Sequence, residues 1–123
     1  MKRYVAEDGS DLVRATMQAA GGWFMCRVGY VETVRAVGLV AGRLAARRVR
    51  AEWTAIGVIE VDQQLAEEAA KLALAHGLGS LDALHLGAAL LLPRDDLSLV
   101  TWDRRLHAAA LSAGLKVVPD RLE

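Results

Sequence analysis

Three carboxylates stand where an acid is unusual. Glu32 falls in a stretch of helical spacing whose same-face neighbours are Val28, Ala36 and Leu39. A carboxylate in an apolar stripe is costly to bury unless a cation or a hydrogen bond meets it. Pairing with Arg35, three residues on, is the plain alternative. Asp82 lies in Ser80-Leu81-Asp82-Ala83-Leu84-His85, and no other charge follows before Pro93. An acid there can simply favour the positive end of a helix. In a helix otherwise apolar, though, it is expected to point into a cleft, while His85 reads as a satisfied core histidine. Asp103 follows Leu99-Val100-Thr101-Trp102 and precedes a helix. It is either an N-cap or a site residue at the carboxyl end of a strand, where ligands of open α/β sheets collect. Strand alternation puts Thr101 on the same face as Asp103.

Oxygen ligands without His or Cys company suit hard cations such as Mg²⁺ or Mn²⁺. Acids that converge repel one another, and a divalent cation neutralises them. Sites of this kind hydrolyse phosphodiesters, the metal activating water and stabilising the leaving oxygen. The remaining acids read more blandly. Glu60 and Asp62 look like strand-end and cap residues, and Glu67 and Glu68 like a solvated helix face. No glycine-rich phosphate loop, His-Glu-x-x-His or Gly-x-Ser-x-Gly is present.

The elements that must hold these acids alternate. Helical patterns cover residues 10–20, 29–42, 43–55, 63–75, 81–92 and 104–113, and strands cover 23–26, 58–61, 97–102 and 116–118. Asp62 and Ser80 are the expected caps of the helices they precede. Such alternation predicts an α/β domain with a mainly parallel sheet flanked by helices. The pattern opens on a helix, whereas domains of this class usually open on a central strand.

Composition narrows the rest. At 123 residues the chain has the length of one domain, read here as 1–123, and can bury a core without staples. Fifteen cations balance fifteen acids, so anion recognition must come from local clusters, and Arg supplies most of the cations. Arg43, Arg47 and Arg50 share one helix face, and Arg104 and Arg105 stand beside Asp103. The single Cys26 excludes a disulfide framework and fits a cytoplasmic protein. No apolar run reaches the roughly 18 residues of a membrane span.

Four stretches together are specific. They are Lys2-Arg3-Tyr4-Val5-Ala6-Glu7, Val31-Glu32 with Arg35, Leu81-Asp82-Ala83-Leu84-His85-Leu86, and Val100-Thr101-Trp102-Asp103-Arg104-Arg105-Leu106. In order and spacing the chain resembles the PIN-domain ribonucleases, most closely the VapC-type toxins of bacterial toxin–antitoxin pairs. The resemblance implies a PIN-like three-layer α/β fold. It also implies a metal-dependent endoribonuclease with Mg²⁺ or Mn²⁺ held by Glu32, Asp82 and Asp103, and with Thr101 beside the last acid. Arg104 and Arg105 become candidate RNA contacts. A cognate antitoxin, an RNA substrate and a homodimer are the implied partners.

The chain departs from the family in one respect. Relatives begin with a strand ending in Asp, whereas here Met1 directly precedes Lys2. The resemblance makes that strand the central one, between the strands at Trp23 and Leu99. The DNA upstream of Met1 is therefore expected to encode it. The alternative to the enzyme is a catalytically impaired remnant that still binds an antitoxin.

Overall fold

The strands and helices predicted from periodicity are present, each close to its expected place. The computed structural model describes residues 10–19, 22–93 and 97–122. The stretch 2–7 and the helix stop at Gly21 lie outside them. Contacts divide the chain into two units, residues 1–60 and 61–123.

In the first unit, α1 (Ser10–Ala19) is followed by β1 (Phe24–Cys26), α2 (Arg27–Ala41), α3 (Arg43–Glu52), a 3-10 turn over Trp53–Ala55 and β2 (Gly57–Ile59). Strands β1 and β2 pair in parallel, Phe24 opposite Gly57 and Cys26 opposite Ile59. The glycine is what allows the Phe24 ring to lie there, since a Cβ on Gly57 would stand 2.6 Å from a ring carbon. Val37 of α2 and Val49 of α3 are fully enclosed together with Trp53, and Tyr30 packs its ring 5.0 Å from that of Trp53. The Trp23 indole N–H donates to the Met17 carbonyl at 2.7 Å and so ties α1 to the start of β1.

The second unit holds α4 (Gln63–His76), α5 (Ser80–Leu90), β3 (Ser98–Val100), α6 (Arg104–Ser112) and β4 (Lys116–Val118). Asp62 caps α4 as expected, its carboxylate accepting the Leu65 N–H at 2.8 Å. Strands β3 and β4 are also parallel, Ser98 opposite Lys116 and Val100 opposite Val118. The core joins Ala69, Leu78, Ala83, Leu86, Leu106, Ala109, Ala110, Leu115 and Val117.

Several expectations change. Ser80 is the first helical residue of α5 rather than its cap. Gly79 takes the cap position, and no side chain bonds there. Helix α5 is not enclosed on every side: Ala83, Leu86, Gly87 and Ala88 are buried, while Leu81 and Leu91 face outward. The second strand stops at Ile59, leaving Glu60 and Val61 outside it. Among the described residues the strands form two separate two-stranded sheets rather than one. Each strand is only three residues long and pairs along a single edge, so the parallel character is kept without a continuous sheet.

Candidate functional site

Helix α2 starts directly after β1, which places Glu32 in its second turn. The helix buries Gly29 and Val37, so its core stripe lies to one side of Glu32. Along its stripe Val28 and Ala36 are half-buried, whereas Leu39 is 71 % exposed and Glu32 itself is exposed. The desolvation cost that made an acid on this stripe suspicious is therefore not incurred. The surface pair with Arg35 does not form either. Arg35 makes no ion pair among the described residues.

The cation that is engaged on α2 is Arg27, its first residue, which pairs with Glu60 just beyond β2. Register explains the meeting. Cys26 lies opposite Ile59, so the next residue of each parallel strand emerges at the same carboxyl-end edge. The Arg27 guanidinium holds the Glu60 carboxyl below the usual glutamate range, and the carboxylate raises Arg27 in turn. Reading Glu60 as a strand-end residue alone misses this pair. Opposite charges near the carboxyl ends of two strands predicted to be parallel were the signal for it.

Asp82 sits in the first turn of α5 and is half-buried. That position sets partial desolvation, which disfavours a charged carboxylate, against the positive end of a helix, which favours it. His85, one turn on, is also half-buried.

Asp103 is the N-cap of α6. Its Oδ1 accepts the Leu106 N–H at 2.9 Å, the carboxylate is exposed, and Oδ2 makes no hydrogen bond among the described residues. The residue is thus a cap with one oxygen to spare, and the two readings of it are compatible. Thr101 does not share its face. The strand ends at Val100, alternation stops there, and Thr101 turns inward to 9 % exposure. Its N–H donates to Val118 O at 3.0 Å, and its Oγ1 accepts the Asp103 N–H at 3.1 Å. The hydroxyl therefore fixes the backbone that aims Asp103.

Arg105 is committed in part to structure, since its Nη1 donates to the Gly77 carbonyl at the end of α4, 3.2 Å away. Arg104 beside it is exposed. His107, one turn further, is buried, and its Nε2 donates to the Pro119 carbonyl at 2.7 Å. That bond puts the proton on Nε2 and anchors α6 to the chain after β4.

Asp82 and Asp103 thus belong to the second unit, each at the N-terminal end of a helix, and Glu32 belongs to the first. Among the described residues no three His, Cys, Asp or Glu side chains gather into a group ready to hold a metal ion. The donor chemistry nevertheless suits a hard cation. All three groups are carboxylates accessible to water at least in part, and Asp103 keeps an oxygen that its cap bond does not use. No helix among the described residues is long and apolar enough to cross a membrane.

Comparison with known proteins extends these observations. A family model described as PIN domain matches residues 4–111. Ribonuclease VapC45 of Mycobacterium tuberculosis (strain CDC 1551 / Oshkosh) is 33 % identical over 133 residues, which take in 100 % of this chain and 92 % of that protein. Ribonuclease VapC49 of strain ATCC 25618 / H37Rv matches with the same identity and coverage.

Proposed function

The chain belongs to the PIN-domain family, and from that membership we propose that it is a metal-dependent endoribonuclease, the toxin of a type II toxin–antitoxin pair. The observation that carries this reading is the likeness to two ribonucleases along the whole of this chain. The family model runs across both units, which supports treating residues 1–123 as one PIN-like domain. A cognate antitoxin and a second copy of the chain are the proposed protein partners, and the cytoplasm is the proposed location.

Glu32, Asp82 and Asp103 are the proposed ligands of Mg²⁺ or Mn²⁺. When bound, such a cation supplies activation of water and neutralisation of the phosphate charge. The rest falls to the chain itself. Asp103 is held by its cap bond to Leu106 and by Thr101 beneath its backbone, so it presents Oδ2 with little freedom to lose. Asp82 is oriented by the first turn of α5, where the helix end stabilises its charged form. Arg104 and Arg105, both exposed beside Asp103, are the proposed contacts for an RNA phosphate, Arg105 also bonding the Gly77 carbonyl.

The test is cleavage of a structured RNA by the purified chain with EDTA, and then with Mn²⁺ or Mg²⁺ restored. Cleavage that stops with chelation and returns with the metal is the expected result. A chain that binds its antitoxin but leaves RNA intact at saturating Mn²⁺ would overturn the enzyme in favour of the impaired remnant.

A further inference from the structure

A neutral molecule that acts on RNA needs a local source of attraction, and helix α3 offers one. Four of the chain's arginines fall within the eight residues from Arg43 to Arg50. The helix turns Val49 into the core, fully buried, and continues into the buried Trp53. Arg43, Arg47 and Arg50 lie to one side of that buried direction, within about 60° of arc and about 10 Å of axis, at 100° and 1.5 Å per residue. All three are exposed. Among the described residues none of them makes an ion pair or a hydrogen bond, whereas Arg48 next to them is taken by Glu52 at 3.0 Å.

Three uncompensated charges within one Debye length of about 10 Å act as a single field. The side chains are Arg rather than Lys, and the planar guanidinium fork matches phosphate oxygens two at a time. We propose that the Arg43–Arg47–Arg50 face of α3 is an RNA-backbone binding site, separate from the acids that carry the chemistry. It would grip phosphates of the substrate without reading its bases. The proposal rests on the ribonuclease reading for the identity of the ligand. An acidic protein segment is the competing occupant, because Leu39, Val40 and Leu44 are exposed at the adjoining helix ends. No aliphatic contact is needed to hold a phosphate, so Leu44 separates the two.

The experiment measures binding of a single-stranded RNA oligonucleotide to the full chain in EDTA, by fluorescence anisotropy across a salt series. Each lost phosphate contact lowers the slope of log K against log salt by about 0.7 on single strands. The Arg43→Gln, Arg47→Gln, Arg50→Gln triple variant should therefore lower it by about 2, with Arg48→Gln and Leu44→Ser near the parent. All five positions are exposed, and an unchanged circular-dichroism melt confirms the fold of each variant. The single variant Arg47→Gln should lower the slope by about 0.7. An unchanged slope in the triple variant, or a loss of RNA binding with Leu44→Ser as large as with the triple variant, would overturn the site. Because cleavage plays no part in the readout, a chain that binds RNA through this face but cuts none sinks the enzyme and leaves the face standing. A chain that cuts RNA with the slope unchanged does the reverse.

Discussion

Asp103 performs two jobs with one carboxylate, and the two can be separated by substitution. As a cap it accepts the Leu106 N–H through Oδ1, and an asparagine carbonyl does so almost equally well. As a ligand it must bring negative charge, which an amide lacks. Asp103→Asn should therefore keep the melting temperature while RNA cleavage falls about 100-fold or more, since even residues behind a metal ligand cost 10–100-fold. Asp103→Ala should lose the same activity and in addition about 1 kcal/mol of stability. Equal melting temperatures for the Asn and Ala variants would remove the cap from the account. A second residue-scale prediction concerns Glu60, whose carboxyl Arg27 holds below the usual glutamate range. A folded-state pKa that is depressed gives a contribution complete above the unfolded value and lost as pH falls through the folded one. An NMR titration should find the Glu60 midpoint below that of a free glutamate, and Arg27→Gln should raise it toward that value. Of these features the Asp103 cap was legible in the sequence, because the cap needs only a short polar residue before a helical pattern. The inward turn of Thr101 was not, since it depends on the strand stopping at Val100, and strand ends are set by pairing rather than by local composition.

Helices were the more readable elements, and strands the less. The helices carry long patterns, punctuated by Asp62, Gly77 and Pro93, and their ends fall near those marks. Every strand among the described residues is three residues long, too short for alternation to fix its limits. The parallel pairing followed from the alternation of helix and strand. The apolar run of α5 overstated burial: hydrophobicity on all sides does not say which side the rest of the fold covers. The side that is covered has a specific requirement at Gly87, where a Cβ would stand 2.9 Å from Leu65 Cδ1. Leu65 is fully buried, so its methyl has little room to retreat. Gly87→Ala gains about 1 kcal/mol of helix propensity and incurs about 1–3 kcal/mol of overpacking. The expected net result is a loss of about 1 kcal/mol, read as a lower urea midpoint at unchanged slope. A higher midpoint would show that Leu65 yields at no cost.

For the molecule as a whole, the proposed ligands come from both halves of the sequence, Glu32 from the first and Asp82 and Asp103 from the second. A cation that binds only the folded chain stabilises it by mass action, by about 2.7 kcal/mol at a concentration 100 times its dissociation constant. For a chain of this size that corresponds to a rise in melting temperature on the order of 10 °C. If one site uses all three acids, the rise must depend on each of them, wherever it stands in the sequence. Mn²⁺ should therefore raise the melting temperature of the parent chain in one cooperative transition. The rise should be lost in Asp82→Asn and equally in Glu32→Gln. Glu32 is the sharper probe. It is exposed, so its amide variant should melt close to the metal-free parent, and any larger difference in Mn²⁺ is then a difference in ligation. A Glu32→Gln chain that keeps the full Mn²⁺-dependent rise would remove Glu32 from the metal site and confine cation binding to the half of the sequence that carries Asp82 and Asp103.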